Sequence, residues 1–376
     1  MKQQMKNLLV LVMFAALIAT VGGCKKETVV ETKTVTSNLE GFAPGANCNT
    51  CHDASQDTTF YVAGRKYQWS QSKHALGGDI ERNGAGCAGC HTTEGFVQRM
   101  NGLTVTDQVQ PSPPGCFACH SPHSNANFSL RKMTPVTFLS NIAGVSHSQF
   151  NYGKGNLCAQ CHQPRDLGTQ PKPDPSKTAA TDSIVITSAR WYSHYGVQGE
   201  MLMGEGGFQF PGVTYTNSPH TGAVKEEGCP TCHMAEMAYV PTDTTIISAP
   251  GTGKGGGHTM NIGYDWEGTP GTVLTGCNQI GCHRSPQLTT TDYKGLQSMV
   301  SANLDTLGKL LATKGWLDTT AVAVKLTSGK RVIKPAIKAG ALWNWIFVTH
   351  DLSRGVHNSQ YANGLLRSSI DEIRKP

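Results

Sequence analysis

A mainly α-helical chain with extensive irregular loops and a C-terminal helical segment is the fold class this sequence predicts. Three observations lead there. Sustained apolar periodicity at helical spacing is concentrated after residue 290. The stretch before it is loop-rich, in a chain with 42 Gly and 19 Pro, and it shows no fixed repeat. The 13 cysteines and 14 histidines recur in one short pattern instead of scattering as a disulfide framework would. A chain of 376 residues, 38% of them hydrophobic, has room for one large domain or two or three ordinary ones. The positions of Cys and His therefore have to decide the reading.

The N-terminus is set aside first. Lys2 and Lys6 precede an apolar run from Leu8 to Val21, too short for a comfortable membrane span and followed by Gly22 and Gly23. Residues 1–23 read as a secretory signal. "VGGC" resembles the lipobox of bacterial lipoproteins, which implies lipidation of Cys24 and attachment to a membrane without a spanning helix. In such lipoproteins an Asp after the cysteine signals inner-membrane retention; Lys25 stands there and points to the outer membrane, on its periplasmic or cell-surface face. The alternative is a plain cleaved signal followed by a stray cysteine. Residues 24–45 read as a solvated tether, with an edge strand over 28–35 as the alternative, and 46–376 as the folded domain.

Five segments fit Cys-x-x-Cys-His: Cys48/Cys51/His52, Cys87/Cys90/His91, Cys116/Cys119/His120, Cys158/Cys161/His162 and Cys229/Cys232/His233. Chance would supply on the order of 0.02 copies at this composition. The pattern marks covalent attachment of c-type haem. Cysteines three apart share one face of a helical turn, so both sulfurs reach the vinyl groups on one porphyrin edge. The following histidine then offers its imidazole to the iron from the same side. A zinc reading of the Cys pairs predicts no fixed histidine after each pair.

Cys24 and these ten cysteines leave Cys277 and Cys282, in "LTGCNQIGCHRS", with His283 directly after the second. The two extra residues can bulge between the sulfurs, so this reads as a sixth attachment site. A structural disulfide is the alternative.

Six irons acting as electron carriers need six more axial ligands. Eight histidines remain. His74, His123, His194, His220, His258 and His357 are the expected distal ligands, with His147 and His350 as spares. His74 sits on an expected helix behind Trp69. His194, His220 and His258 lie in Gly- and Ser-containing loops that permit close approach to a flat cofactor.

"GCFACHSPHS", "NLCAQCHQPR", "SHYGVQGEMLMGEGGFQFPG", "NSPHTG", "GCPTCHM", "GGGHTMNI" and "GVHNSQYANGLL" together resemble the multihaem c-type cytochromes, the group that includes pentahaem nitrite reductases and their octahaem relatives. The resemblance covers roughly 46–376 and implies distal ligation by His74, His220, His258 and His357. The nitrite reductases carry their catalytic haem on Cys-x-x-Cys-Lys. That motif is missing from this chain, so the resemblance does not carry over their activity.

The six motifs are unevenly spaced, which excludes a solenoid. About 55 residues per haem are too few for separate apolar cores, so haems are expected to pack together and form much of the core. Short helices are expected at each motif, with surface loops over 168–177 and 240–257. Helices are expected over 293–317, 336–352 and 358–375, and a hairpin over 321–334 turning at Ser328-Gly329. Their apolar stripes read as core, with a dimer interface as the alternative.

The formal charge of +6 loses the two signal lysines. Six haems then contribute about −1 each when ferric and about −2 when ferrous, through ionised propionates. Nucleic acid is thus excluded as a partner, since basic charge was its only basis. The reading is an electron-transfer protein holding six covalently bound haems c. Its partners are redox proteins: a quinol-oxidising donor, and a terminal reductase or extracellular acceptor. The alternatives are a reductase of nitrite, hydroxylamine or a sulfur oxyanion, and a subunit of a haem polymer or conduit complex.

Overall fold

The computed structural model describes residues 49–76, 80–125, 127–237 and 253–376. Cys24, the signal, the tether and Cys48 lie outside the described residues, as does most of the expected 240–257 loop. The described residues belong to one unit, Phe42–Pro376.

Short helices form at five of the six motifs: Asn49–His52, Ala85–His91, Cys116–Cys119, Gly155–Ala159 and Pro230–His233. In the last of these, Pro230 takes the first helical position, where its missing N–H costs nothing. The sixth motif departs from the expectation. Residues 275–283 run as turns, with Gly281 at φ +84°, because two additional residues do not fit one helical turn. The helix expected to carry His74 spans Val62–Ser70, and His74 sits in the turns that follow it.

The strands are short and pair two by two. Val136–Thr137 pairs with Gln149–Phe150, and Gly263–Trp266 with Thr269–Thr272 across a Glu267-Gly268 turn in which both residues have positive φ. The expected hairpin over 321–334 is corrected. Its turn exists, with Ser328 and Gly329 both at positive φ and a Thr327–Lys330 bridge. Its arms, however, find other partners: Ala323–Val324 pairs with Leu317–Asp318, and Arg331–Ile333 pairs with Ile184–Ile186. Ile333 and Ile186, both fully buried, bring the second arm into the core, and that burial outweighs the local pairing.

The three C-terminal helices run Thr290–Thr313, Ala339–Asp351 and Ser359–Arg374. The first begins at a capping box: the Thr289 hydroxyl accepts from Asp292 N at 3.2 Å, and the Asp292 carboxylate accepts from Thr289 N at 2.9 Å. It stops short of residue 317 because Gly315, at φ +68°, turns the chain into the Leu317 strand.

Val300, Leu307 and Leu311 from the first helix pack with Leu342, Trp343 and Ile346 from the second and Tyr361, Leu365 and Leu366 from the third. Gly308 admits Trp345, whose indole N–H donates to Leu304 O at 2.9 Å. The same core takes in Trp191, Met201 and Phe208 from far upstream, and Trp191 meets Trp343 edge-on at 5.3 Å. Asn344, fully buried, is satisfied by Phe208 N at 2.6 Å, Phe208 O at 2.8 Å and Ser369 Oγ at 3.0 Å. An apolar core built from side chains thus occupies this part of the chain. Smaller clusters, such as Phe96, Ala118 and Leu157, lie among the N-terminal motifs.

Candidate haem-ligating sites

Each motif histidine faces one of the six expected distal histidines. The ring centroids are 6.4 Å apart for His52–His123, 6.2 Å for His91–His194 and 6.3 Å for His120–His258. They are 6.2 Å apart for His162–His74, 6.1 Å for His233–His357 and 6.1 Å for His283–His220. The angle between ring planes varies from 26° to 88° over the same pairs.

Across the chain's other aromatic pairs the centroid separation ranges from 4.5 to 6.3 Å with no relation to ring angle. Two imidazoles on one linear metal axis keep a fixed separation and rotate freely about it. With metal–nitrogen bonds of about 2 Å and about 1.1 Å from each nitrogen to its ring centre, the expected separation is about 6.2 Å. Among the described residues no three His, Cys, Asp or Glu gather as a protein-only metal site, so the fold assembles pairs.

Several of these rings have the Nδ1 engaged, which turns Nε2 toward the partner ring. His220 Nδ1 lies 2.8 Å from Val356 O and His233 Nδ1 lies 2.9 Å from Met260 O. His162 Nδ1 lies 3.0 Å from Gln198 Oε1, and His74 Nδ1 lies 3.0 Å from Met260 Sδ. His357 Nδ1 meets Asp351 Oδ1 at 2.6 Å. Burial, aided by the neighbouring charges of His162 and His233, pushes His74 down to about 4. Burial does the same to His258, with Arg65 and His120 adding to it. Both rings are therefore neutral at physiological pH, the form that binds metal. Burial also lowers His357, but the Asp351 carboxylate more than offsets that and leaves it raised.

Distant segments place these rings. Asn358, fully buried, caps the last helix by accepting from Tyr361 N at 3.3 Å and also accepts from Ser218 N at 2.9 Å. Its amide donates to Asn217 Oδ1 at 2.8 Å and Thr221 Oγ1 at 3.2 Å, which fixes the His220 segment beside His357. Gln68, also fully buried, accepts from His258 N at 2.9 Å. Gln198, Met260 and Gln68 carry no sequence signal, since their partners lie 36 to 190 residues away.

Of the first motif, Cys51 and His52 are described. Cys51 is half-buried on the short helix Asn49–His52, but Cys48, expected to supply the second sulfur, lies outside the described residues. Among the described residues the site therefore shows one sulfur, Cys51, and one ligand pair, His52 facing His123. For the other motifs both cysteines are described.

The sixth motif keeps the link that closes the regular ones. In three regular motifs the histidine N–H donates to the first cysteine's carbonyl: His120 to Cys116 at 2.9 Å, His162 to Cys158 at 2.9 Å and His233 to Cys229 at 3.0 Å. His283 N donates to Cys277 O at 2.9 Å, across six residues instead of four. The extra length loops outward, leaving Ile280 80% exposed. Cys277 and Cys282 are not joined in a disulfide, and neither is any other described cysteine. Cys277 instead contacts Cys232 of the preceding motif.

Sulfur contacts join other motifs too: Cys90 with Cys161, and Cys158 with Cys229. Of the spares, His147 Nδ1 lies 3.6 Å from the buried Glu200 carboxylate, and His350 packs between Tyr192 and Tyr195.

No helix among the described residues is long and apolar enough to cross a membrane. No family model and no curated protein matches the chain. One solved structure, that of the outer cell wall cytochrome OcwA, is similar at a TM-score of 0.48 and 19% identity, over 82% of this chain and 50% of that one. The chain thus spans about half the length of the cytochrome it resembles.

Proposed function

We propose that this chain is an exported, lipid-anchored hexahaem c-type cytochrome that passes single electrons along a row of bis-histidine haems. The observation that carries the reading is the constant 6.1 to 6.4 Å separation of six motif–distal histidine pairs at widely different ring angles. The donor set fits the group: paired thiols for thioether bonds, facing imidazoles, and Nδ1 partners on several rings that leave Nε2 for the facing side. Haem c held there supplies a one-electron Fe(III)/Fe(II) couple tuned by its ligands and their hydrogen bonds.

Cysteine neighbours suggest an order along the row. The motif at 87–91 meets that at 158–162 through Cys90 and Cys161, and the latter meets 229–233 through Cys158 and Cys229. Cys232 continues to Cys277. Cys119 lies close enough to act on both Cys158 and Cys161, and His123, just past the third motif, pairs with His52 of the first. The fourth motif is then a junction touching the second, third and fifth, so electrons have more than one exit. A quinol-oxidising donor and a terminal reductase or extracellular acceptor are the partners this supports, with the outer membrane as the site of anchoring through Cys24.

Mass spectrometry of the holoprotein should give six haems, and EPR of the oxidised protein low-spin ferric signals. Five haems, or a high-spin population in the absence of added ligand, overturns the hexahaem bis-histidine reading.

A further inference from the structure

The six pairs are not equivalent. Of the twelve pairing histidines only His194 has a positive φ, +71°. A β-carbon makes that left-handed region unfavourable, and such strain persists only where surrounding structure enforces it. The enforcement is visible on both sides of the residue. Trp191, fully buried, donates its indole N–H to Pro171 O at 2.7 Å. Ser193, 2% exposed, accepts at its carbonyl from Arg165 N at 3.1 Å and at its hydroxyl from Asn141 Nδ2 at 3.0 Å.

The same segment gathers polar groups around the His194 ring, among them His350, which hydrogen-bonds the His194 backbone. The Tyr192 and Tyr195 hydroxyls are 3.1 Å apart, and only one can donate to the other, which leaves an O–H to offer elsewhere. The His350 ring lies 4.6 Å from the Tyr192 ring and 4.5 Å from that of Tyr195. His350 is 5% exposed, and its Nε2 has no hydrogen-bond partner in the protein. Buried imidazole nitrogens are ordinarily satisfied, so an unmatched one invites a ligand. Tyr195 stacks 5.3 Å from the His194 ring and is 56% exposed, so the cluster connects with solvent. Gln198 ties it together by donating to Tyr195 O at 2.9 Å and His350 O at 3.0 Å.

We infer that the His91–His194 pair is an exchangeable ligand-binding centre, at which His194 yields its place to a small anionic ligand held by Tyr192, Tyr195 and His350. The inference rests on the haem reading of that pair. In the exchange the coordination bond to His194 Nε2 breaks and one to the incoming donor atom forms. No electron moves, and the released Nε2 can take a proton from water. The polar cluster compensates the incoming ligand. The centre lies next to the junction, since Cys90 touches Cys161.

The test uses the full-length holoprotein, titrated with cyanide and with nitrite and followed by visible and EPR spectra. One equivalent should bind per chain, with one low-spin signal lost. His194→Gly should tighten binding at least tenfold, because no internal ligand competes. Within that background, His350→Phe and Tyr192→Phe should each weaken nitrite about fivefold or more. Six haems by mass, with all low-spin signals unmoved by saturating cyanide in the unaltered protein, overturns the inference and leaves the haem reading standing. So does binding that His194→Gly leaves unchanged. A mass that shows the Cys87/Cys90 site without haem overturns both.

Discussion

Asn358 offers the sharpest test of how distant segments set the ligand geometry. Its side chain is fully buried and makes four hydrogen bonds, to Tyr361 N, Ser218 N, Asn217 Oδ1 and Thr221 Oγ1. Asn358→Ala removes the helix cap, which costs about 1 kcal/mol. It also strands three further partners at about 1 kcal/mol each, bringing the loss to about 4 kcal/mol. Asn358→Asp keeps the two acceptor roles and loses the two donor roles, so it should fall between alanine and the parent protein. Urea unfolding of the holoprotein, followed by far-UV CD, measures both. The visible spectrum reports separately whether the His220–His283 pair is disturbed. A loss near 1 kcal/mol, the value for an ordinary surface cap, would refute the idea that this residue clamps the His220 segment to the last helix.

Other outcomes follow from the same contacts. Asp351→Asn removes the carboxylate beside His357 Nδ1, a charge-assisted bond whose partial loss favours the ferrous form; one of six potentials should rise by about 60 mV, roughly 1.4 kcal/mol for one electron. Redox titration with six unmoved potentials contradicts it. Cys277→Ala with Cys282→Ala should lower the holoprotein mass by one haem, and an unchanged mass would mean that the turn-rich motif carries none. Gly340→Ala places a Cβ 2.2 Å from Phe208 Cδ1 and should cost about 1–3 kcal/mol by overpacking, despite alanine's better helix propensity. Glu200 is held above its ordinary value by burial and then by Glu205, so its folded form keeps a proton that the unfolded chain releases. Stability should therefore fall as pH rises above the unfolded value near 4.5, and Glu200→Gln should flatten that slope. An unfolding midpoint with the same pH slope in both proteins counts against this.

The motifs were legible in the sequence because the haem attachment they are read as would be local chemistry. Two sulfurs and an imidazole must serve one porphyrin edge, so their spacing is written into five or seven consecutive residues. The six distal candidates were reached by counting histidines and reading their surroundings, and the C-terminal helices by their 3.6-residue stripes. Which distal ring faces which motif could not be read this way. His258 meets His120 and His74 meets His162 through contacts that depend on Gln68 and Met260, far away in the chain. The separate arms of the expected 321–334 hairpin failed for the same reason: burial of Ile333 against Ile186 is a long-range gain that no local pattern carries.

By itself, then, the sequence determined which side chains are on offer: six cysteine–histidine motifs and eight further histidines, more than enough to face them. Tertiary structure decided the pairing, the junction at Cys158–Cys161, and the difference between one braced ring at Asp351 and one strained ring at His194. Attachment depends on neighbours in the chain, whereas coordination and electron passage depend on neighbours in space.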